Sequence, residues 1–172
     1  MNAPLLQVDG LTVAYRRGEG WIRVVEDVSF RIGAGEVLGL VGESGCGKST
    51  VALQLLGYRH PGLRVEAGCV TLNDLNLTGQ NLTDLPRAEL DRLRGRHISF
   101  VPQNPTTALN PRMRVGAQVG ECLRAHGNAT DTDPGALFAQ VDLPDDQAFR
   151  RRYPHQLSGG HQQRVCIAMA LS

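Results

Sequence analysis

The feature that most constrains the fold is a glycine-rich loop that follows a nearly continuous apolar run. The run Glu36–Val41 is typical of a strand buried on both faces, and the segment Gly42–Thr50 follows it directly. This segment, GESGCGKST, matches the pattern G-x-x-x-x-G-K-[ST]. In that pattern glycines turn successive backbone N–H groups inward around phosphate oxygens, at the start of a helix. The sequence therefore predicts a buried strand, a phosphate-binding loop and a helix that ends near residue 56.

Residue types within the loop fit a nucleoside triphosphate and its metal ion. The predicted nucleotide-binding residues of the loop are Gly42, Gly45, Cys46, Gly47, Lys48, Ser49 and Thr50. Lys48 is expected to reach the β- and γ-phosphates, and the Ser49 hydroxyl is expected to ligate Mg²⁺. Lys48 is also the only lysine among 18 basic residues, which indicates a position that suits a compact ammonium and not a broad guanidinium. The alternative, a glycine-rich turn with an accidental Lys-Ser pair, leaves the flanking strand and helix patterns unexplained.

Composition narrows the class of protein without identifying it. A chain of 172 residues with 41% hydrophobic residues and 20 glycines is typical of one soluble α/β domain. A formal net charge of +1 gives no overall attraction to nucleic acid, and we expect no nucleic-acid partner. The arginine-rich runs at 92–97 and 150–152 are interpreted as solvated helix faces. The four cysteines lack metal-ligand spacing, and neither a secretory signal nor a membrane span is visible.

Strand patterns fill the first part of the chain and helix patterns fill the second. Strands are predicted at 5–15, 21–32, 36–41, 68–74 and 97–103, the first two joined as a hairpin. Helices are predicted at about 86–94, 115–126, 134–141 and 145–152, and after Gly160. We therefore expect an α/β nucleotide-binding body at about 1–103 and a helical subdomain at about 104–172.

A second predicted anion site lies at the start of the last helix. Ser158 can cap that helix, and the N–H groups of Gly159 and Gly160 are free to bind an anion of the same type as the first loop binds. One triphosphate does not need two separate helix ends in one domain. Taken alone, Ser158 also fits an ordinary helix cap with no ligand.

The order and wording of these motifs resemble ATP-binding-cassette (ABC) proteins along the whole chain. Leu157–Arg164, LSGGHQQR, resembles their signature sequence, and Val101–Gln103 resembles their glutamine loop. Tyr15 lies where their adenine-stacking aromatic residue is found. The stretches PQNPTTALNP (102–111) and YPHQLSGG (153–160) are similar to the ATPase subunits of oligopeptide, dipeptide and nickel importers. The short interval between Gln103 and Ser158 disfavours the repair and chromosome ATPases, which insert a coiled coil there.

The resemblance implies a P-loop NTPase fold of the ABC ATPase type. It implies an N-terminal antiparallel β subdomain, a helical signature subdomain and ATP with Mg²⁺ as ligands. Gln103 then contacts Mg²⁺, together with Ser49, or the attacking water. The resemblance further implies that residues 158–160 cover the nucleotide of a second ATP-binding subunit in a head-to-tail dimer. It also implies that residues 104–112 contact membrane-spanning permease subunits at the cytoplasmic face of a bacterial-type membrane.

Three of these assignments have simpler alternatives or depart from the family pattern. Tyr15 also fits a strand-end aromatic residue, and Gln103 also fits a cap of the turn at Asn104-Pro105. His161 replaces the glutamine that is usual at this position of the signature. The replacement changes the side chain that would contact the partner's nucleotide, but it leaves the two glycine N–H groups unchanged.

The resemblance also implies an Asp-Glu strand and a switch histidine beyond residue 172. We therefore expect a fragment with an incomplete core sheet, which binds ATP and does not hydrolyse it alone. The remaining alternatives are a non-transport ABC ATPase in translation or repair and a non-catalytic nucleotide-binding remnant. The transported solute, a peptide or nickel or a related small solute, is not specified by these motifs.

Overall fold

The computed structural model describes residues 3–74, 77–126 and 133–172 in two compact units. The first unit is Met1–Leu93 and the second is Arg94–Ser172. The sequence placed the start of the helical part later, at about residue 104, because 97–103 has the apolar pattern of a strand. No helix in the described ranges is long and apolar enough to cross a membrane.

The first unit is built on a four-stranded antiparallel sheet. Its strands are β1 Leu6–Arg17, β2 Gly20–Ile32, β3 Leu63–Asp74 and β4 Leu77–Asn81, in the order β2-β1-β3-β4. The predicted β1–β2 hairpin is confirmed: Arg17 pairs with Gly20, and Gly18 at φ 61° makes the tight turn. Val8, Leu11 and Val13 of the central strand β1 are fully buried, so its apolar alternation forms the core of this unit.

Two short helices complete the first unit. They are α1 Lys48–Gln54 and α2 Arg87–Leu93, both close to their predicted positions. Leu90 of α2 is 2% exposed and packs against Gly57, where an added methyl group would lie 2.6 Å from the Leu90 side chain. Position 57, where the chain leaves α1, therefore accommodates only glycine. Its φ of 59° also favours glycine.

The second unit is helical, as the sequence predicted. Its helices are α3 Pro105–Ala108, α4 Val115–Ala125, α5 Pro134–Gln140, α6 Gln147–Arg150 and α7 Gly159–Ala170, with a 3₁₀ turn at Pro154–Gln156. Phe138 and Phe149 lie at the centre of its core, with ring centroids 5.7 Å apart in an edge-to-face arrangement. The apolar stripes of α4, α5 and α7 meet there because each helix has only one apolar face.

Two predicted strands are wrong. The run Glu36–Val41 has no strand pairing within the described residues, and the side chains of Val37 and Val41 are 98% and 92% exposed. In the run 97–103 the only pairing described is an isolated bridge between Arg94 and Ile98. An apolar strand of the parallel type is stable only between neighbouring strands and under cover on both faces. The described chain supplies neither for Val37 and Val41, so their apolar side chains face water.

Candidate functional site

The phosphate loop adopts a backbone that only glycine allows at its end. Gly47 has a φ of 95°, and an added methyl group would lie 2.6 Å from the carbonyl oxygen of Val24 on β2. The loop therefore packs directly on β2 before it enters α1. The Val51 N–H then donates to the Gly47 carbonyl at 2.9 Å, which begins the helix.

The Lys48 ammonium lies over the loop's own carbonyl groups. Its Nζ donates to the Gly42 oxygen at 2.8 Å and the Glu43 oxygen at 2.6 Å, and it lies 3.5 Å from the Cys46 Sγ. A cation is thus held across the loop by neutral acceptors, and no carboxylate is among these partners. Phosphate oxygens carry negative charge and form stronger hydrogen bonds with an ammonium than peptide carbonyls do.

The side chains around Lys48 differ in exposure. Ser49 and Cys46 are exposed, whereas Thr50 is buried under the first turn of α1. Ser49 is therefore accessible, and its hydroxyl oxygen is a ligand of the kind that Mg²⁺ prefers. Burial raises the pKa of the Cys122 and Cys166 thiols in the second unit, which disfavours their thiolate forms. In the described residues no group of three or more His, Cys, Asp or Glu side chains could hold a metal ion.

Tyr15 lies near the end of β1, on the same unit as the phosphate loop. It is half-buried and pairs with Ile22 of β2 and Leu63 of β3. Ile22 lies two positions before Val24, the residue against which Gly47 packs. The sheet pairing therefore places the Tyr15 backbone beside β2, two positions from the residue against which Gly47 packs.

The signature segment of the second unit forms the cap of α7. The Ser158 Oγ accepts a hydrogen bond from the His161 N–H at 3.3 Å, and the Ser158 carbonyl accepts from the Gln162 N–H at 2.9 Å. Gly159 and Gly160 are exposed, and a methyl group added at either one would meet nothing within 4 Å. The His161 ring packs edge-on against Phe149 at 5.9 Å, so it is engaged with the core of its own unit.

Gln103 lies in the bend before α3 and is exposed. The cap of α3 is the neighbouring Asn104, whose Oδ1 accepts from the Thr106 N–H at 3.1 Å and the Thr106 hydroxyl at 2.6 Å. The structure thus assigns the cap of α3 to Asn104. Within the second unit, the carbonyl of Pro102 accepts a hydrogen bond from the Gln163 Nε2 at 3.3 Å, which ties the segment before Gln103 to α7.

Sequence reasoning missed two buried glutamines that hold loops in the second unit. Gln118 on α4 bonds the N–H and carbonyl of Asn110 and the carbonyl of Met113. Gln162 on α7 bonds the carbonyls of Pro154 and Leu157. A usable signal was present, because each glutamine occupies a core-facing position three or four residues from a buried apolar residue on its helix.

The chain is similar to known proteins in both sequence and fold. A family model described as "ABC transporter" matches residues 25–172. The chain is 42% identical to the glutathione import ATP-binding protein GsiA of Salmonella paratyphi A, over 98% of this chain and 28% of that protein. It is 39% identical to the oligopeptide transport ATP-binding protein OppD of Haemophilus influenzae, over 98% of this chain and 51% of that protein.

A solved structure matches over nearly the whole chain. The dimeric ATP-binding cassette MJ0796 in a post-hydrolysis state, bound to ADP and Pi, superposes with a TM-score of 0.78 at 27% identity. The match covers 96% of this chain and 68% of that one. The chain thus spans between about a quarter and about a half of the curated relatives, and about two thirds of the solved cassette.

Proposed function

The chain belongs to the ABC transporter family, and on that premise we propose that it is the ATP-binding part of an importer for peptides or related small solutes. Its fold is that of an ABC ATPase cassette, with the antiparallel sheet and helical part that the sequence predicted. The relatives named for glutathione and oligopeptide import support peptides as the solute class, because glutathione is itself a tripeptide. They favour an importer over a translation or repair ATPase.

The observation that carries the proposal is the position of Lys48. Its ammonium is held over the glycine-rich loop by two carbonyl oxygens and by no carboxylate, so it can exchange them for phosphate oxygens without breaking an ion pair. The glycines at 42, 45 and 47 all have positive φ, which suits a loop whose N–H groups turn toward an anion. We assign the whole segment Gly42–Thr50 to the phosphates and Tyr15 to the adenine ring.

Ser49 of the first unit is assigned to Mg²⁺, and for Gln103 of the second unit the family resemblance implies Mg²⁺ or the attacking water. Both are exposed and both offer a neutral oxygen, which fits a hard cation that keeps several water ligands. When bound, Mg²⁺ neutralises part of the phosphate charge and thereby assists phosphoryl transfer. We propose turnover for the longer protein, since the chain spans 28–51% of its relatives, and nucleotide binding for this chain.

A second ATP-binding subunit is the proposed partner of Ser158, Gly159 and Gly160. A glycine at a helix start is useful when another molecule must approach its backbone closely. The described chain places nothing within 4 Å of a side chain at either glycine, so intramolecular crowding does not explain them. A partner's nucleotide supplies a reason, and the matched solved cassette is a dimer. In this arrangement Ser158 and the two N–H groups bind the γ-phosphate held by the partner's loop.

Permease subunits are the proposed partners of residues 104–112. In this segment Thr106, Thr107 and Ala108 are exposed on the single turn of α3. The Gln118 side chain bonds both the N–H and the carbonyl of Asn110, which holds the end of this segment in place. This contact would place the protein at the cytoplasmic face of the membrane as a peripheral subunit.

Titration with a fluorescent ATP analogue and Mg²⁺ tests the nucleotide site on this chain. Lys48→Ala should weaken binding by on the order of 10- to 100-fold, the loss expected for hydrogen bonds to a charged ligand. Arg31→Ala, at an exposed position on β2, removes the same charge and should leave the affinity unchanged. Equal affinities for the wild type and Lys48→Ala would rule out the proposed site. Uptake of a labelled dipeptide by cells with the whole gene, with and without Lys48→Ala, tests the solute class.

A further inference from the structure

Gln162 lies beneath the turn that leads into Ser158. Its side chain is buried, with the whole residue 8% exposed, and its Nε2 donates to the Pro154 carbonyl at 2.9 Å and the Leu157 carbonyl at 3.2 Å. Pro154 and Leu157 both precede Ser158, whereas Gln162 belongs to α7, which follows Ser158. One side chain therefore ties the chain before Ser158 to the helix after it.

The direction of the Gln162 amide is fixed by its partners. Both are carbonyl oxygens and accept hydrogen bonds only, so the NH₂ group must face them and Oε1 must face away. Oε1 is buried and has no hydrogen-bond donor within the described residues. Gln118 provides the contrast, because both of its amide atoms are bonded and the Asn110–Met113 loop is held from both ends.

The other contacts at this turn are short in range. The Tyr153 N–H donates to the Gln156 Oε1 at 2.8 Å, and the Leu157 N–H donates to the Pro154 carbonyl at 3.0 Å, both within the turn. The cap bond from the His161 N–H to the Ser158 Oγ, at 3.3 Å, lies within the start of α7. Among the described residues, the two hydrogen bonds from the Gln162 side chain therefore join the turn at 154–157 to α7.

We propose that Gln162 is a positioning residue for the signature segment. By holding Pro154 and Leu157 against α7, its amide sets the direction in which the Ser158 Oγ and the two glycine N–H groups point. That these groups point toward a partner's nucleotide rests on the proposed function. The positioning itself does not, and it can be measured on this chain without any nucleotide.

Amide hydrogen exchange by NMR on the full chain tests the proposal with Gln162→Met, a variant of similar volume without the donor. The amides of Leu157 and His161 should exchange at least about 10-fold faster, whereas those of Val165 and Ala168 should change by less than about 2-fold. Global stability should change little, because the substitution also removes the buried unpaired Oε1. An unchanged Leu157 amide, or equal acceleration along all of α7, would overturn the proposal.

Gln163→Met is the matched control. It removes a comparable side-chain bond from the next residue of the same helix, but that bond goes to Pro102. The exchange rates of Leu157 and His161 should therefore stay within about 2-fold of the wild type. If this variant accelerates them as much as Gln162→Met does, the effect is a general weakening of α7 and the proposal fails.

Gln162→Glu adds a test that a merely space-filling role would not pass. A protonated carboxyl group can donate one hydrogen bond to a turn carbonyl, whereas a carboxylate can only accept. Relative to the wild type at the same pH, Leu157 protection should be retained at about pH 5 and lost at about pH 9, since burial raises a glutamate pKa. A pH-independent ratio would contradict the donor role. Absence of ATP binding by the wild-type chain, together with the exchange changes expected for the three variants, would instead count against the proposed function alone.

Discussion

The phosphate loop and the signature cap are both predicted anion sites, and they lie on very different supports. The loop leads into α1, a helix of seven residues, and is preceded by the exposed run Glu36–Val41. The cap begins α7, a helix of twelve residues whose inner face is buried at Val165, Cys166 and Ala168. Both local geometries form nonetheless. A glycine-rich loop or a serine cap is therefore specified by its own few residues, whereas burial of the segment around it depends on distant ones.

Apolar side chains in the two units show the same dependence. Val37 and Val41 are more than nine-tenths exposed, whereas Phe138 and Phe149 are almost fully buried. The two valines and Phe138 belong to segments with a strong apolar pattern, whereas Phe149 lies in a largely polar segment. The phenylalanines have three other helices of their own unit to pack against, whereas the valines have no strand partner in the described chain. Hydrophobicity alone thus predicts a tendency to be buried, and the available neighbours determine the outcome.

The largest expected effect is loss of the core of the second unit. Phe149→Ala should lower the free energy of unfolding by about 3–5 kcal/mol, because it removes a buried ring that packs edge-to-face on Phe138. Urea denaturation followed by circular dichroism measures the change. Phe100→Ala, at a phenylalanine of the same unit that is 50% exposed, should cost less than about 1 kcal/mol. Equal costs for the two variants would remove the distinction between the buried core and the exposed runs.

The next effect concerns the phosphate loop. Lys48→Arg keeps the positive charge, but a planar guanidinium cannot occupy the position between the Gly42 and Glu43 carbonyls that the ammonium fills. ATP affinity should fall on the order of 10- to 100-fold, nearly as far as in an alanine variant. Unfolding free energy should be unchanged, since the support of the loop is not altered. Near-normal affinity for the arginine variant would show that charge matters at this position and geometry does not.

The sequence was sufficient where a structure depends on neighbours within a few residues. The hairpin at Gly18 and the helices α4, α5 and α7 were predicted close to their observed bounds, because caps, turns and helical spacing are local patterns. The Ser158 cap was also predicted. Exposure of the glycines at 159 and 160 agrees with a backbone that is open to a ligand, although their role toward a partner's nucleotide stays a prediction.

The rest could not be predicted because it depends on remote contacts. Glu36–Val41 has a strand pattern, but strand formation needs a neighbour that the pattern does not specify. The short strand β4 has little apolar alternation and forms by pairing with β3. Gln162 and Gln118 look like ordinary polar residues until their acceptors on distant loops are known. These residues show that the loops of the second unit are held by side chains that no motif identifies.

A smaller effect concerns the ion pair between Arg150 and Asp133 in the second unit. Both guanidinium nitrogens of Arg150 bond the Asp133 carboxylate, at 2.6 and 2.7 Å, and this hydrogen bonding lowers the Asp133 pKa. A lowered folded-state pKa stabilises the fold above the unfolded value near 3.9 and ceases to do so as the pH falls through the folded value. Because Asp133 is mostly exposed, Asp133→Asn should cost less than about 1 kcal/mol at pH 7.

Urea unfolding at a series of pH values measures that contribution. The difference between the wild type and Asp133→Asn should shrink as the pH falls below about 4 and should vanish when both side chains are neutral. A difference that persists at about pH 2 would mean that the asparagine acts through packing and not through the lost charge.

The smallest expected effect, at Val41, belongs to the most direct comparison of the two units. Val41→Thr and Val165→Thr make the same nearly isosteric change, at a residue that is 92% exposed and at one that is fully buried. A hydroxyl group buried without a partner should lower the unfolding free energy by about 1–3 kcal/mol at Val165, whereas the change at Val41 should stay within about 0.5 kcal/mol. Urea denaturation at several protein concentrations measures both. A cost at Val41 that grows with concentration would show that copies of the chain cover the run Glu36–Val41 by self-association. A cost that is large at every concentration would show that the run is buried within each chain, and would overturn the contrast between the units.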